Sequence, residues 1–525
     1  MAIATLRYLV ILKVKKILSL QPTKRLNLMP RQINLLLSVI FFSVIIISGS
    51  KLFKAENGIM TIERNIEGTP IKIMKPEQSN GILVFIAHGF AGSSNFMRPI
   101  AVSLTQAGFT TIRFDFLGHG ENTLPYSGSI TQISGATKSF ISQTNSVIDY
   151  YKNIYHPSSI ILLGHSMASD IIFRTALTRS DITSVIGIST YTDVITSQKP
   201  TNILILNGEW EPTLKLKAYD ILTKIGIAKP KENILYGSFD DGSARKIISI
   251  KNADHIGILF SKRTQEAIGQ WMNEAFEIDP TIEANQMGIW IAIIFISMFF
   301  CFFFYISSLP KKLNQHFDIP FKKFIFVNSC SLIFTPLILN FLKFDFVIFP
   351  AHNHLINHLF LYTCISLFCI PTNNLKTFFT NRSTLVFLAL ILVYGMFFGT
   401  ALNSYVSTFI PMSGQRLSLL IILLIGTTPY MIYLQILFNA KTYNWLMVGI
   451  AKIQLLCSLV ISIALNFEEL FLIGYAILLF LLFSIFFGSL SNKLSKRVYG
   501  QISVGFANAV MLAWAYATAL PLYIP

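Results

Sequence analysis

Gly164-His165-Ser166-Met167-Ala168 is the stretch whose reading decides the fold. The apolar run Ser159-Ile160-Ile161-Leu162-Leu163 precedes it, and Ser169-Asp170-Ile171-Ile172-Phe173-Arg174-Thr175-Ala176-Leu177 follows with the pattern of a helix. A strand, a sharp turn with serine at its tip, then a helix is the layout of a nucleophile elbow. Small flanking residues let the backbone bend and lift the hydroxyl out of the sheet. The usual pattern is G-x-S-x-G; here Ala168 stands at the last position. Alone, G-x-S-x-A is weak evidence for a nucleophile, and a serine that caps a helix accounts for it more simply.

Composition divides the chain of 525 residues into unlike parts. Between Lys51 and Gln286, 22 basic residues balance 22 acidic ones. Residues 1–50 carry seven basic residues and no acidic one, and 287–525 carry thirteen basic and four acidic ones. The net charge of +16 therefore sits beside apolar runs. That placement reads as membrane topology rather than as a nucleic-acid footprint, so no nucleic-acid partner is expected. All five cysteines (Cys301, Cys330, Cys364, Cys369, Cys457) fall in the apolar C-terminal part, without metal-type spacing.

Residues 1–32 are expected to be a basic cytoplasmic segment, with Arg7, Lys13, Lys15, Lys16, Lys24, Arg25 and Arg31. Residues 33–50 are expected to be a transmembrane anchor (or uncleaved signal), since Ile33 to Gly49 is an apolar run near the lower length limit for a span. Residues 51–286 are expected to form an α/β domain. After a hairpin at 59–63 and 71–74, strands near 82–87, 110–114, 159–163, 184–188, 202–206 and 246–250 alternate with helices, which predicts a mostly parallel sheet covered on both faces.

Residues 287–525 are expected to be an all-α polytopic membrane domain of about eight helices, near 287–307, 324–342, 353–370, 384–402, 417–438, 445–465, 470–490 and 500–522. One set of loops carries Lys311, Lys312, Lys322, Lys323, Lys376, Arg382, Lys441, Lys493, Lys496 and Arg497; the other set carries only Lys343 and Arg416. The positive-inside rule assigns the first set, with the basic N-terminus, to the cytoplasm. The expectation is a multi-pass protein of the cell or inner membrane, with the lipid bilayer as partner and the α/β domain on the extracytoplasmic side.

With that strand order, residues 59–276 resemble the α/β-hydrolase superfamily of serine hydrolases, esterase- or lipase-like. Five matches in chain order carry the resemblance: His88-Gly89-Phe90-Ala91-Gly92-Ser93-Ser94, Phe114-Asp115-Phe116-Leu117-Gly118-His119-Gly120, the elbow, Asn207-Gly208-Glu209-Trp210-Glu211-Pro212, and Asn252-Ala253-Asp254-His255-Ile256-Gly257. The resemblance implies Ser166 as nucleophile, His255 as general base and Glu211 as the acid that orients it. It implies an oxyanion hole from the backbone N–H groups of Phe90 and Met167. Glu209 competes with Glu211 for the acid role, and Asp193 is a more distant candidate. His119 is expected to be structural.

Only Ser189 to Thr201 separates the strand near 184–188 from the next, too short for a helical cap, so an open or membrane-covered site with a minimal cap is expected. The implied activity is hydrolysis of an ester-type bond (carboxylester, lipid or thioester) through a Ser-His-Glu triad and an acyl-enzyme, with no cofactor and no metal. Two other classes stay open: a serine peptidase or aminopeptidase-like hydrolase, and a transport or lipid-handling protein whose hydrolase-fold domain is accessory or inactive. His354 and His358 share a helix face but have no third ligand nearby in sequence. Substrate identity and oligomeric state are not fixed by the sequence.

Overall fold

The computed structural model describes residues 22–128, 133–277, 283–310, 317–370, 383–410, 413–495 and 501–525. The basic residues Arg7, Lys13, Lys15, Lys16, Lys311, Lys312, Lys376, Arg382, Lys496 and Arg497 lie outside the described residues.

Eight strands form one sheet: β1 Ile59–Ile66, β2 Thr69–Pro76, β3 Ile82–Ala87, β4 Thr110–Phe114, β5 Ser159–His165, β6 Ile182–Ile188, β7 Ile203–Gly208 and β8 Arg245–Ile250. Their spatial order is β1-β2-β4-β3-β5-β6-β7-β8. β2 pairs antiparallel with β1 and β4, and every pairing from β4 through β8 is parallel. All six residues of β3 are buried, as are six of seven in β5. Continuous burial follows from helices on both faces of a parallel sheet, and explains why these strands read as unbroken apolar runs.

The helices are α1 Pro22–Lys54, α2 Arg98–Gln106, α3 Lys138–Tyr155, α4 Met167–Leu177, α5 Pro212–Lys224 and α6 Lys262–Phe276. Two buried clusters flank the sheet. Phe114, Phe140 and Ile172 belong to one, and Ile100, Leu163 and Trp271 to the other. Alternate side chains of β5, such as Leu162 and Leu163, enter opposite clusters, as the two-residue period of a strand requires.

Eight helices among the described residues are long and apolar enough to cross a membrane: Pro30–Lys54, Met287–Ser308, Phe321–Phe341, Leu388–Tyr405, Gly414–Phe438, Asn444–Leu465, Ile473–Leu494 and Ile502–Ala519. The span expected at 353–370 is the helix Pro350–Ser366, of 17 residues. At 1.5 Å per residue it is about 26 Å long, short of a hydrocarbon core of about 30 Å. Twelve of its residues are buried, so neighbouring helices enclose it.

The α/β domain sits on these helices through one edge of its sheet. Loops after β3 and β4, at the C-terminal ends of the parallel strands, make the contacts. Asn95 Nδ2 donates to the Asn403 carbonyl at 2.5 Å, and Arg98 Nη1 to the Ser404 carbonyl at 2.8 Å. Tyr126–Ser127 pairs parallel with Tyr523–Ile524 near the chain end, a contact with no local sequence signal. Arg416, read from sequence as a loop charge, is only 3% exposed. Its guanidinium donates to the carbonyls of Ala517 and Leu520, both at 2.8 Å, and to those of Gly118 at 3.0 Å and Gly120 at 3.4 Å. A planar fork of five N–H donors suits such divided duty. Lys441 is exposed just past the end of Gly414–Phe438 opposite Arg416, and Lys322 and Lys323 are exposed near it, where Phe317 pairs with Ala440.

Candidate active site

The turn between β5 and α4 holds Ser166 at φ +53°, ψ −119°, a region that L-residues rarely adopt. Such backbone strain costs about 1–3 kcal/mol and is kept only where the surroundings enforce it. Here the Ser166 N–H is tied to the Ile188 carbonyl at 2.9 Å, and Ser169 N–H to the Ser166 carbonyl at 2.9 Å. Gly164 is needed for close helix–strand approach: a Cβ there would lie 2.7 Å from the Ala168 carbonyl oxygen and 3.0 Å from Ile172 Cδ1. Ala168 itself is fully buried, so its methyl is accommodated in the packing between α4 and the sheet.

Ser166, His255 and Glu211, spread over 89 positions, meet at the C-terminal edge of the sheet. His255 Nε2 lies 2.9 Å from Ser166 Oγ. Its Nδ1 lies 2.5 Å from Glu211 Oε1. Glu211 Oε2 accepts from Gly208 N–H at 2.6 Å and from Ser189 Oγ at 2.8 Å. Burial pushes the Glu211 carboxyl up, but the hydrogen bonds from His255, Gly208 and Ser189 outweigh it, and the net shift is downward. The other two carboxylates are engaged elsewhere. Glu209 Oε2 accepts from Asn252 N–H at 2.8 Å, and Asp193 pairs with Arg174 at 3.0 Å.

Phe90 follows Gly89, which packs against Ser166, and Met167 follows Ser166 directly. Met167 opens α4, so its N–H is among the donors a helix leaves without an internal partner, at the positive end of the helix dipole. Gly89 lets the Phe90 loop come close: a Cβ there would lie 2.8 Å from His165 Nδ1 and 3.1 Å from Ser166 Cβ. Asp115 fixes this loop from behind, accepting from Ser94 N–H at 2.6 Å and from Glu121 N–H at 2.8 Å. His88 Nε2 accepts from Phe116 N–H at 3.1 Å, which makes Nδ1 the protonated nitrogen, donating to the Gly89 carbonyl at 2.8 Å.

Two supporting residues escaped the sequence reading. His165 Nε2 hydrogen-bonds the His255 carbonyl at 2.8 Å, tying the histidine loop to the elbow. Ser189 sits directly after β6 and anchors Glu211. The available signal was position alone, since both flank strand ends that bear the site. His119 is 1% exposed, with Nδ1 on the Leu117 carbonyl at 2.8 Å, and packs between Phe90 and Tyr126.

These histidines give the domain a pH dependence of definite sign. Burial, then the neighbouring His88, pushes His119 down to about 3; burial, then His255, pushes His165 down to about 3; burial also lowers His88 against the pull of Asp115. The unfolded chain titrates them near 6.5, so below that pH it binds more protons than the folded chain. Each group then removes up to about 1.4 kcal/mol of stability per pH unit. The downward shift of Glu211 acts in the same direction at lower pH, losing its contribution as the carboxylate protonates. The melting temperature of the full-length protein should fall between pH 7 and pH 5. A melting temperature that held or rose over that interval would contradict the buried, neutral state of these histidines.

Eight strands in this order, a strained serine after β5, an acid after β7 and a histidine after β8 define a known arrangement. The domain has the α/β-hydrolase fold. The family described as serine aminopeptidase, S33, matches residues 78–229, which include the elbow and Glu211 and end before His255. No match was found among the curated proteins. Solved structures similar to the α/β-hydrolase domain include a lidless α/β serine hydrolase from Xanthomonas campestris. It is 13% identical with TM-score 0.31, covering 41% of this chain and 94% of that one. A dienelactone hydrolase from Anabaena variabilis is 15% identical with TM-score 0.31, covering 42% and 98%.

The α/β-hydrolase domain carries its site in the open. The His255 side chain is 44% exposed, and the segment 189–202 after β6 contains no helix that would form a cap. Cavities also open away from Ser166. One of about 510 Å³ opens among Lys343, His354, Asn466 and Glu469 at the end of the membrane-type helices.

Proposed function

We propose that this protein is a membrane-bound serine hydrolase that cleaves an ester-type acyl bond through Ser166, His255 and Glu211. The observation that carries the reading is the unbroken chain from Ser166 Oγ to His255 Nε2 at 2.9 Å and from His255 Nδ1 to Glu211 at 2.5 Å. Ser166 Oγ attacks the acyl carbon while its proton passes to His255 Nε2. The oxyanion formed accepts from the N–H groups of Phe90 and Met167. Collapse of this intermediate breaks the acyl–oxygen bond, and His255 returns the proton to the departing alcohol. A water then attacks the acyl-enzyme, giving its proton to His255, and the acid is released with Ser166 restored. Glu211 stays ionised throughout and stabilises the imidazolium.

The eight apolar helices support membrane residence, and the domain contacts lie at the helix ends away from Lys322, Lys323 and Lys441. By the positive-inside rule this favours an extracytoplasmic hydrolase domain. The match to the serine aminopeptidase family motivates a second reading, hydrolysis of an aminoacyl amide by the same three residues. A fluorophosphonate probe should label the full-length protein in membranes, with labelling lost in Ser166→Ala. A folded wild-type protein that never labels excludes both readings. A panel of esters, thioesters and aminoacyl amides then separates them, by whichever class is turned over at least tenfold faster.

A further inference from the structure

The strands from β4 through β8 are parallel, so the loops that follow them share one edge of the sheet. That edge meets the helices under β3 and β4. Phe90, beside the nucleophile, packs its ring 6.3 Å from that of Phe471 and 5.3 Å from that of Tyr475. Tyr475 lies in the first turn of the membrane-type helix Ile473–Leu494 and Phe471 just before it, so the reacting serine lies next to the level at which that helix begins.

The edge continues past the helices. Tyr191 follows β6, Trp210 follows β7 and Ile256 follows β8, and they are 66%, 63% and 46% exposed. Successive strands stand about 4.8 Å apart, so these loops extend the row that begins at the helix contact. Each neighbours a functional residue: Trp210 precedes Glu211, Ile256 follows His255, and Tyr191 N–H bonds Ser169 Oγ in the elbow helix at 3.0 Å. Large apolar side chains left in water around a site are costly, and tryptophan and tyrosine concentrate where bilayer meets water.

We propose that Tyr191, Trp210 and Ile256 enter the interfacial layer of the bilayer, and that the substrate is an amphipathic lipid ester drawn from that leaflet. The proposal rests on the hydrolase reading above for its chemistry, and on the continuous edge for its geometry. The lipid's carbonyl reaches Ser166 at headgroup level while its chains stay in the membrane. No lid is required, because the leaflet itself covers the open site.

Two measurements on the full-length protein in nanodiscs test this. In the first, turnover of a long-chain acyl ester held in the disc is divided by turnover of a water-soluble short-chain ester. The triple variant Tyr191→Ser, Trp210→Ser, Ile256→Ser should lower that ratio at least tenfold, whereas Tyr191→Phe with Trp210→Phe keeps it within about twofold. A ratio unchanged in the triple variant overturns the proposal. In the second, the emission difference between wild type and Trp210→Phe isolates the Trp210 signal. Lipids brominated near the headgroup end of their chains should quench that signal at least twofold. An unquenched Trp210 overturns the proposal whether or not the protein is active. Failure of the fluorophosphonate to label would instead overturn the chemistry, while the quenching still reports on the surface.

Discussion

Replacing Ser166 by alanine should lower kcat by about 10⁴-fold or more, with His255→Ala close behind and the double variant little worse than either alone. Residues that act as one unit show this lack of additivity, because each needs the others to contribute. Glu211→Gln keeps the size of the side chain but removes the charge facing His255 Nδ1. It also offers an amide N–H where a lone pair is required, against donors at Gly208 and Ser189. A loss of about 10²–10⁴-fold in kcat is expected, with the larger value if the imidazole is held in the wrong tautomer. Glu209→Gln is the internal control. That carboxylate accepts from Asn252 N–H and does not touch His255, so activity should stay within about threefold. Equal losses at Glu209 and Glu211, or residual labelling in Ser166→Ala, would remove the triad as the source of activity.

Arg416→Met should cost about 3–5 kcal/mol, the range seen when one partner of a buried, charge-assisted network is removed. The guanidinium is 3% exposed and holds carbonyls of two structural regions, Ala517 and Leu520 on one side and Gly118 and Gly120 on the other. Methionine fills much of the volume but removes the donor from those carbonyls, of which Gly118 alone keeps the Leu522 N–H at 2.8 Å, and a buried carbonyl left unpaired costs about 1–3 kcal/mol unless water enters. For a domain of about 150–250 residues such a loss corresponds to a drop of about 6–20 °C in melting temperature. Arg416→Lys should recover only part of it, since one ammonium lacks the planar fork that divides among four acceptors. Melting curves in detergent or nanodiscs read the effect. A melting temperature for Arg416→Met within 2 °C of wild type would show that the clamp does not hold the two regions together.

Much of the hydrolase site was legible because its parts are local. The elbow is a short signature whose glycine and alanine are demanded by a strained turn and tight packing at Gly164 and Ala168. The strands announced themselves as apolar runs because both faces of the sheet are covered. The resemblance to the α/β-hydrolases, carried by five short matches in chain order, then implied Ser166, Glu211 and His255, which stand after β5, β7 and β8. Element ends were less legible. Helix α3 runs from Lys138 to Tyr155, past Phe140 and Tyr151, the outermost of its buried residues, so the buried face does not mark its ends. The span expected at 353–370 has the composition of a membrane helix, yet Pro350–Ser366 is enclosed by its neighbours. Hydropathy reports a preference for apolar surroundings and does not say whether lipid or protein supplies them.

By itself, then, the sequence determined the class of fold and the two apolar regions that flank it, and its resemblance to the α/β-hydrolases implied Ser166 and His255 with Glu211 ahead of Glu209 as the acid. Those properties rest on backbone geometry, burial periodicity and chemistry confined to a few adjacent positions. Tertiary structure decided which carboxylate faces His255, that His165 and Ser189 brace the site, that Arg416 is a buried clamp rather than a loop charge, and that the C-terminal edge of the sheet lies against the helix ends. Each of these depends on groups between 22 and 397 residues apart being brought within hydrogen-bond or packing distance, and no local pattern records a contact of that kind.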